Sequence, residues 1–110
     1  MPEMYNGDRY WDYPEVEAWC RALAAEEDWI SLETIGVTRE GRSIVLLTLG
    51  ENPSTTPAMW LDAGTHASEF TGVMSVVFSL SRWVEWARGT LGKQWFKQHT
   101  IFVCPCARQC

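Results

Sequence analysis

Residues 58–88 dominate what this chain can fold into. An apolar run, Ala58-Met59-Trp60-Leu61-Asp62, reads as a strand and breaks at Ala63-Gly64. Almost at once a helical pattern begins, from about Glu69 to Arg88. Along it Phe70, Val73, Met74, Val77, Leu80, Val84 and Ala87 recur at 3/4 spacing, and Val76, Phe78 and Trp83 widen the stripe. A helix this apolar must pack under other structure. A sheet is the natural cover, and the rest of the chain supplies strands for one.

Upstream, Asp12-Tyr13-Pro14 opens a first helix: Asp12 suits the N-cap, Pro14 an early helical position, and Glu15 and Glu17 the positive helix end. Val16, Trp19, Cys20 and Leu23 give it a core stripe, and it fades near residues 25–28. Residues 29–37 read as a strand with imperfect alternation. Thr38-Arg39-Glu40-Gly41 is a four-residue turn with Gly41 at a φ > 0 position. Residues 42–49 are a near-continuous apolar strand, covered on both faces. Gly50 to Pro57 is a polar loop, and Gly89 ends the long helix. A short helical turn at 91–97 and a fourth strand, Thr100 to Cys104, stopped by Pro105, complete the order. Hairpin, strand, helix, strand is an α/β pattern: a partial mixed sheet with flanking helices and at least one parallel crossover. The last strand is expected to leave an open sheet edge.

One domain is the limit for 110 residues, and 46% hydrophobic content suffices for a small core. Most of the seven Trp are expected to be packing residues, partly buried, rather than a sugar platform. The net charge of −5 and the scattered basic residues argue against nucleic-acid binding. No run of 18 apolar residues exists, so no transmembrane helix is expected. Residues 1–8 are polar and acidic, without a basic n-region or apolar h-region, so a cytoplasmic location is expected. Cysteine is too sparse for a disulfide framework. Cys104 reads as a buried strand residue and Cys20, Cys106 and Cys110 as incidental; the alternative is a soft-metal site at Cys104, Cys106 and Cys110.

The chemistry lies between the third strand and the long helix, in Gly64-Thr65-His66-Ala67-Ser68-Glu69. Imidazole nitrogen and carboxylate oxygen both bind Zn2+, and His66 and Glu69 stand three residues apart. Open α/β sheets bind ligands beyond the carboxyl ends of their strands, where this segment falls. Rigid elements on both sides are what a metal site needs. By itself the pair reads equally as a loop or core histidine and a solvated first-turn acid, which a helix N-terminus favours. A catalytic zinc site takes three protein ligands and an open position. The other histidine, His99, precedes the fourth strand and is not expected to reach the pair.

Taken in order, Tyr10 to Trp19, Ile35-Gly36, Glu40-Gly41-Arg42, Ile44 to Leu49, Ala63-Gly64-Thr65-His66-Ala67-Ser68-Glu69 and Phe70 to Arg88 resemble the N-terminal part of the zinc carboxypeptidase family. The resemblance covers about residues 10–105 of a 1–110 domain that is incomplete by comparison. It implies part of an α/β/α carboxypeptidase-like fold, with His66 and Glu69 as the first two zinc ligands. It also implies a third ligand, a His, and a catalytic Glu further downstream, with an Arg/Asn pair for the carboxylate of a peptide substrate with a free C-terminus. Zinc then activates the water that attacks the C-terminal peptide or amide bond. No residue of this chain matches the third ligand, the catalytic Glu or the carboxylate-binding pair, so the chain alone is expected to be inactive. Ser68 stands where many members have Arg, and is a candidate helix cap. Pro105-Cys106-Ala107-Arg108-Gln109-Cys110 departs from the Pro-x-x-Asn-Pro-Asp-Gly that members tend to carry. The competing readings are a non-catalytic α/β interaction module and a part completed by another chain.

Overall fold

The computed structural model describes residues 2–64 and 70–107, with Phe70 as backbone only. Three helices, α1 (Tyr13–Glu26), α2 (Phe70–Ala87) and α3 (Thr90–Gln98), accompany four strands, β1 (Ile30–Val37), β2 (Ser43–Leu49), β3 (Ala58–Asp62) and β4 (Thr100–Cys104). The strands form one mixed sheet in the order β1-β2-β4-β3. β1 pairs antiparallel with β2, β2 antiparallel with β4, and β3 parallel with β4. The expected mixed α/β architecture is therefore present.

Local chemistry accounts for the elements. The Asp12 carboxylate accepts from the Glu15 N–H at 2.9 Å, and the Asp12 N–H donates to the Glu15 carboxylate at 3.1 Å. This reciprocal capping box satisfies two donors that a helix start leaves open. Arg9 completes the corner with two hydrogen bonds to Glu15, at 2.7 and 3.3 Å. That pairing holds the Glu15 carboxyl below its ordinary range. The imperfect alternation of β1 has a physical cause: the register with β2 shifts between Thr34 and Gly36, leaving Ile35 as a bulge. The hairpin connection is five residues, 38–42, rather than four. The Thr38 N–H donates to the Arg42 carbonyl at 2.8 Å and closes the loop one residue later than the Gly41 turn alone, whose φ is +82°.

By register, Ile30, Leu32, Leu47, Leu49, Ile101 and Val103 share one sheet face. Five of them join the core cluster, together with Val16 and Leu23 of α1, Val77 and Leu80 of α2 and Phe96 of α3, and the half-buried Leu32 packs against it. Val45 to Leu49 of β2 are buried on both faces, as their continuous apolar run predicts. The described stripe of α2 (Val73, Met74, Val77, Leu80, Val84, Ala87) is buried throughout. Trp19 is buried, and Trp11, Trp29, Trp83 and Trp95 are half-buried, so most tryptophans do serve packing.

Two expectations need correction. β4 is not an open edge: it lies between β2 and β3, and the edges are β1 and β3. Chain order does not dictate strand order, and β3 can reach the sheet only through the last strand. The turn expected at 91–97 is a nine-residue helix, because Gly92 lets α3 sit against the end of α2. A Cβ on Gly92 would lie 2.2 Å from the Trp86 carbonyl oxygen.

Candidate metal centre

The two predicted ligands, His66 and Glu69, lie outside the described residues, as does Ser68. Their flanks are well placed. β3 ends at Asp62, beside Cys104 of β4 in the parallel register. The Ala63 N–H donates to the Cys104 carbonyl at 3.1 Å, so the pairing runs one residue beyond the strand. The Ala107 N–H then donates to the Ala63 carbonyl at 2.8 Å, which ties the segment after β4 over the end of β3. Gly64 is buried with φ +71°, a conformation costly for any residue with a Cβ. The chain thus leaves β3 through a fixed left-handed turn, and after five intervening residues α2 begins at Phe70.

An open cleft of about 580 Å3 lies beside this exit, lined by Asp62, Ala63, Gly64, Thr71, Gly72 and Val76. It sits at the carboxyl end of β3, where the sequence order put the pair. The Asp62 carboxylate accepts from the Trp60 indole N–H at 2.7 Å. Among the described residues no three His, Cys, Asp or Glu side chains converge as a metal cage. The donor set of the pair, imidazole and carboxylate, fits zinc by chemistry and would make two of the three protein ligands that a catalytic site takes.

His99 stands at the opposite end of the sheet. Thr100 pairs with Ala58 and Cys104 with Asp62, so His99 precedes the amino end of β4 while Gly64 follows the carboxyl end of β3. The strand alone separates them by roughly 13 Å. No histidine–metal bond of about 2 Å bridges that distance.

The cysteines also divide. Cys104 is buried and free, and burial first, then the Asp62 charge, pushes its thiol pKa up. Cys20 is likewise buried and free, its thiol pushed up to about 12 by burial. Cys106, expected to be incidental, is disulfide-bonded and buried, with its sulfur 4.0 Å from the Gly64 carbonyl oxygen. The fold-back after Pro105 brings it into the packed corner, a placement that spacing alone does not reveal. A disulfide sulfur is not a thiolate, so the alternative metal site at Cys104, Cys106 and Cys110 loses a ligand. Cys110 lies outside the described residues.

Sequence reasoning missed the segment before α1. Tyr5 is buried at 4% exposure, and the aromatic residues Tyr5, Tyr10 and Trp11 were its only signal.

Known proteins bear on this arrangement. Carboxypeptidase B of the crayfish Astacus astacus is 34% identical over 76 residues, which cover 68% of this chain and 25% of the crayfish protein. Carboxypeptidase B of the dog, Canis lupus familiaris, is 39% identical over 67 residues, covering 60% of this chain and 16% of the dog protein. The chain thus spans a quarter or less of the length of these curated relatives. The crystal structure of carboxypeptidase A from Helicoverpa armigera matches with a TM-score of 0.78 over 90% of this chain and 24% of that one, at 19% identity, a likeness of fold. The sequence model of the zinc carboxypeptidase family matches residues 16–107, a span that holds β3, the His66/Glu69 segment and α2 together. With nearly its whole length so matched, the chain belongs to the zinc carboxypeptidase family.

Proposed function

We propose that this chain supplies the first two zinc ligands, His66 and Glu69, of a metallocarboxypeptidase centre acting on peptides with a free C-terminus. The observation that carries the reading is placement: the pair lies between the fixed end of β3 and the start of α2, inside the family match. When bound, zinc lowers the pKa of a water and polarises the carbonyl of the bond to be hydrolysed. The chain's own part is to present a neutral imidazole nitrogen and a carboxylate oxygen from a rigid frame. The hydrogen bonds of Ala63 to Cys104 and Ala107 hold one side of that frame, and α2, packed through Val73 and Val77, holds the other. The cleft lined by Asp62, Gly64 and Thr71 leaves open space beside it for a substrate. None of the 110 residues matches the third ligand, the catalytic Glu or the carboxylate-binding pair that the family implies. A polypeptide of these residues alone therefore binds zinc weakly and turns over no peptide.

The test is a Zn2+ titration of the purified chain and of its His66→Ala and Glu69→Gln variants, beside an assay of C-terminal peptide hydrolysis. Weak binding lost in both variants, without turnover, is the expected result. Binding indifferent to His66→Ala sinks the zinc reading and favours an interaction module. Tight 1:1 binding with turnover sinks the claim of inactivity.

A further inference from the structure

Residues 1–8 read as a polar, acidic N-terminus, yet the segment 5–11 runs along α2. The Tyr5 N–H donates to the Ser81 hydroxyl at 2.9 Å, and the Tyr5 ring meets Phe78 edge-on at 6.5 Å. The Trp11 N–H approaches the Met74 sulfur at 3.3 Å. The hydroxyls of Tyr10 and Thr71 are hydrogen-bonded to each other. Tyr5, early in the segment, meets positions 81 and 78, whereas Tyr10 and Trp11, at its end, meet 71 and 74. Those four positions form one stripe of α2, so the segment lies antiparallel to the helix and reaches its first turn.

The segment is itself anchored. Trp11 packs edge-on against Tyr5, at 4.9 Å, and against Trp19, at 5.8 Å. The Trp19 indole N–H donates to the Glu3 carbonyl at 2.7 Å. Tyr10 thus projects from a packed unit onto Thr71, two residues beyond Glu69 in sequence. A helix start has unsatisfied donors and frays, whereas a metal ligand has to be held to within about 0.5 Å.

We propose that the N-terminal segment is a positioning element for the metal centre, with Tyr10 acting through Thr71 to hold the helix turn that follows Glu69. The proposal rests on the zinc reading of His66 and Glu69. It makes Tyr10 a positioning residue that acts through Thr71.

The experiment measures Zn2+ affinity of the whole chain by competition with a chromogenic chelator, alongside thermal melting. The variants are Tyr10→Phe, Thr71→Val, the double variant and His66→Ala. Each single hydroxyl loss is expected to weaken zinc binding about threefold, as befits one exposed hydrogen bond. The double variant then loses no more than either single one, and the melting temperature holds. Amide exchange at Thr71 to Met74 quickens in Tyr10→Phe. Zinc binding that needs His66 but ignores Tyr10→Phe overturns the positioning role alone. Binding that survives His66→Ala overturns the zinc reading and the positioning role with it. A loss of affinity seen only where the melting temperature falls in step also overturns positioning, because that is the mark of a general stabilising role.

Discussion

His99 stacks on Trp95, with ring centroids 4.3 Å apart and planes inclined by 15°. Its Nδ1 lies 3.1 Å from the Trp95 carbonyl oxygen. A carbonyl only accepts, so Nδ1 carries the hydrogen in this bond. The ring thereby closes the end of α3 and is committed to structure. His99→Ala is expected to leave zinc affinity within about twofold while costing about 0.5–1.5 kcal/mol of stability through the lost stacking. Zinc titration and urea unfolding of the one variant check both halves; a lost zinc site would place His99 in the centre after all.

The start of α1 rests on two reciprocal hydrogen bonds between Asp12 and Glu15. Asp12→Ala removes the side-chain half and is expected to cost about 1 kcal/mol. Asp12→Ser, which can still accept from the Glu15 N–H, recovers most of it. Urea midpoints at constant slope read the difference, and equal midpoints for the two variants contradict the cap.

Replacing a helical glycine by alanine ordinarily stabilises by about 1 kcal/mol. Gly92 should invert that sign. Its added Cβ would meet the Trp86 carbonyl oxygen at 2.2 Å and the Ala87 Cα at 2.7 Å, both backbone atoms that cannot swing away. Gly92→Ala is expected to destabilise by about 1–3 kcal/mol as α3 is pushed off α2. A rise in the melting temperature would refute the close approach.

Burial holds the Cys20 thiol protonated, from an ordinary value of 9.0 up to about 12, and raises the Tyr13 hydroxyl from 10.0 to about 12. Both groups bind a proton more tightly folded than unfolded. Their contribution is therefore complete below pH 9 and is lost as pH rises through about 12. The chain should melt at a steady temperature up to about pH 9 and progressively lower above it. Cys20→Ala should flatten part of that alkaline slope. Native Cys20 should also resist alkylation at pH 8 and react once urea unfolds the chain; rapid labelling of the folded protein would contradict its burial.

The elements readable from sequence were those whose stabilisation is local. Asp12, Pro14 and Glu15 announce α1 within four residues, and the run from Ile44 to Leu49 announces a strand covered on both faces. The candidate pair, His66 and Glu69, could be proposed from sequence because its chemistry and its flanking elements are contiguous, while both residues lie outside the described ones. Strand order was not legible, since the pairing of Leu47 with Val103 spans 56 residues and no local pattern encodes it. Nor was the packing of Tyr5 against Ser81, because one buried aromatic in a polar stretch has no periodicity to read. The disulfide at Cys106 escaped for a similar reason: spacing within a short tail says nothing of how the tail turns.

The position of β4 carries a consequence for how the chain acquires its structure. β1 and β2 form a local hairpin and can assemble as soon as residue 49 is available. β3, made only a few residues later, has among the described residues no strand neighbour except β4, which arrives some forty residues afterwards. Until then the hairpin and β3 are two unjoined pieces, and α2 has only half a surface to cover. The last strand is the keystone of the sheet, and non-local closure of that kind is slow. A nascent chain that has not yet reached residue 104 therefore exposes both the apolar stripe of α2 and the unpaired edge of β3, the period in which it most needs protection from other chains.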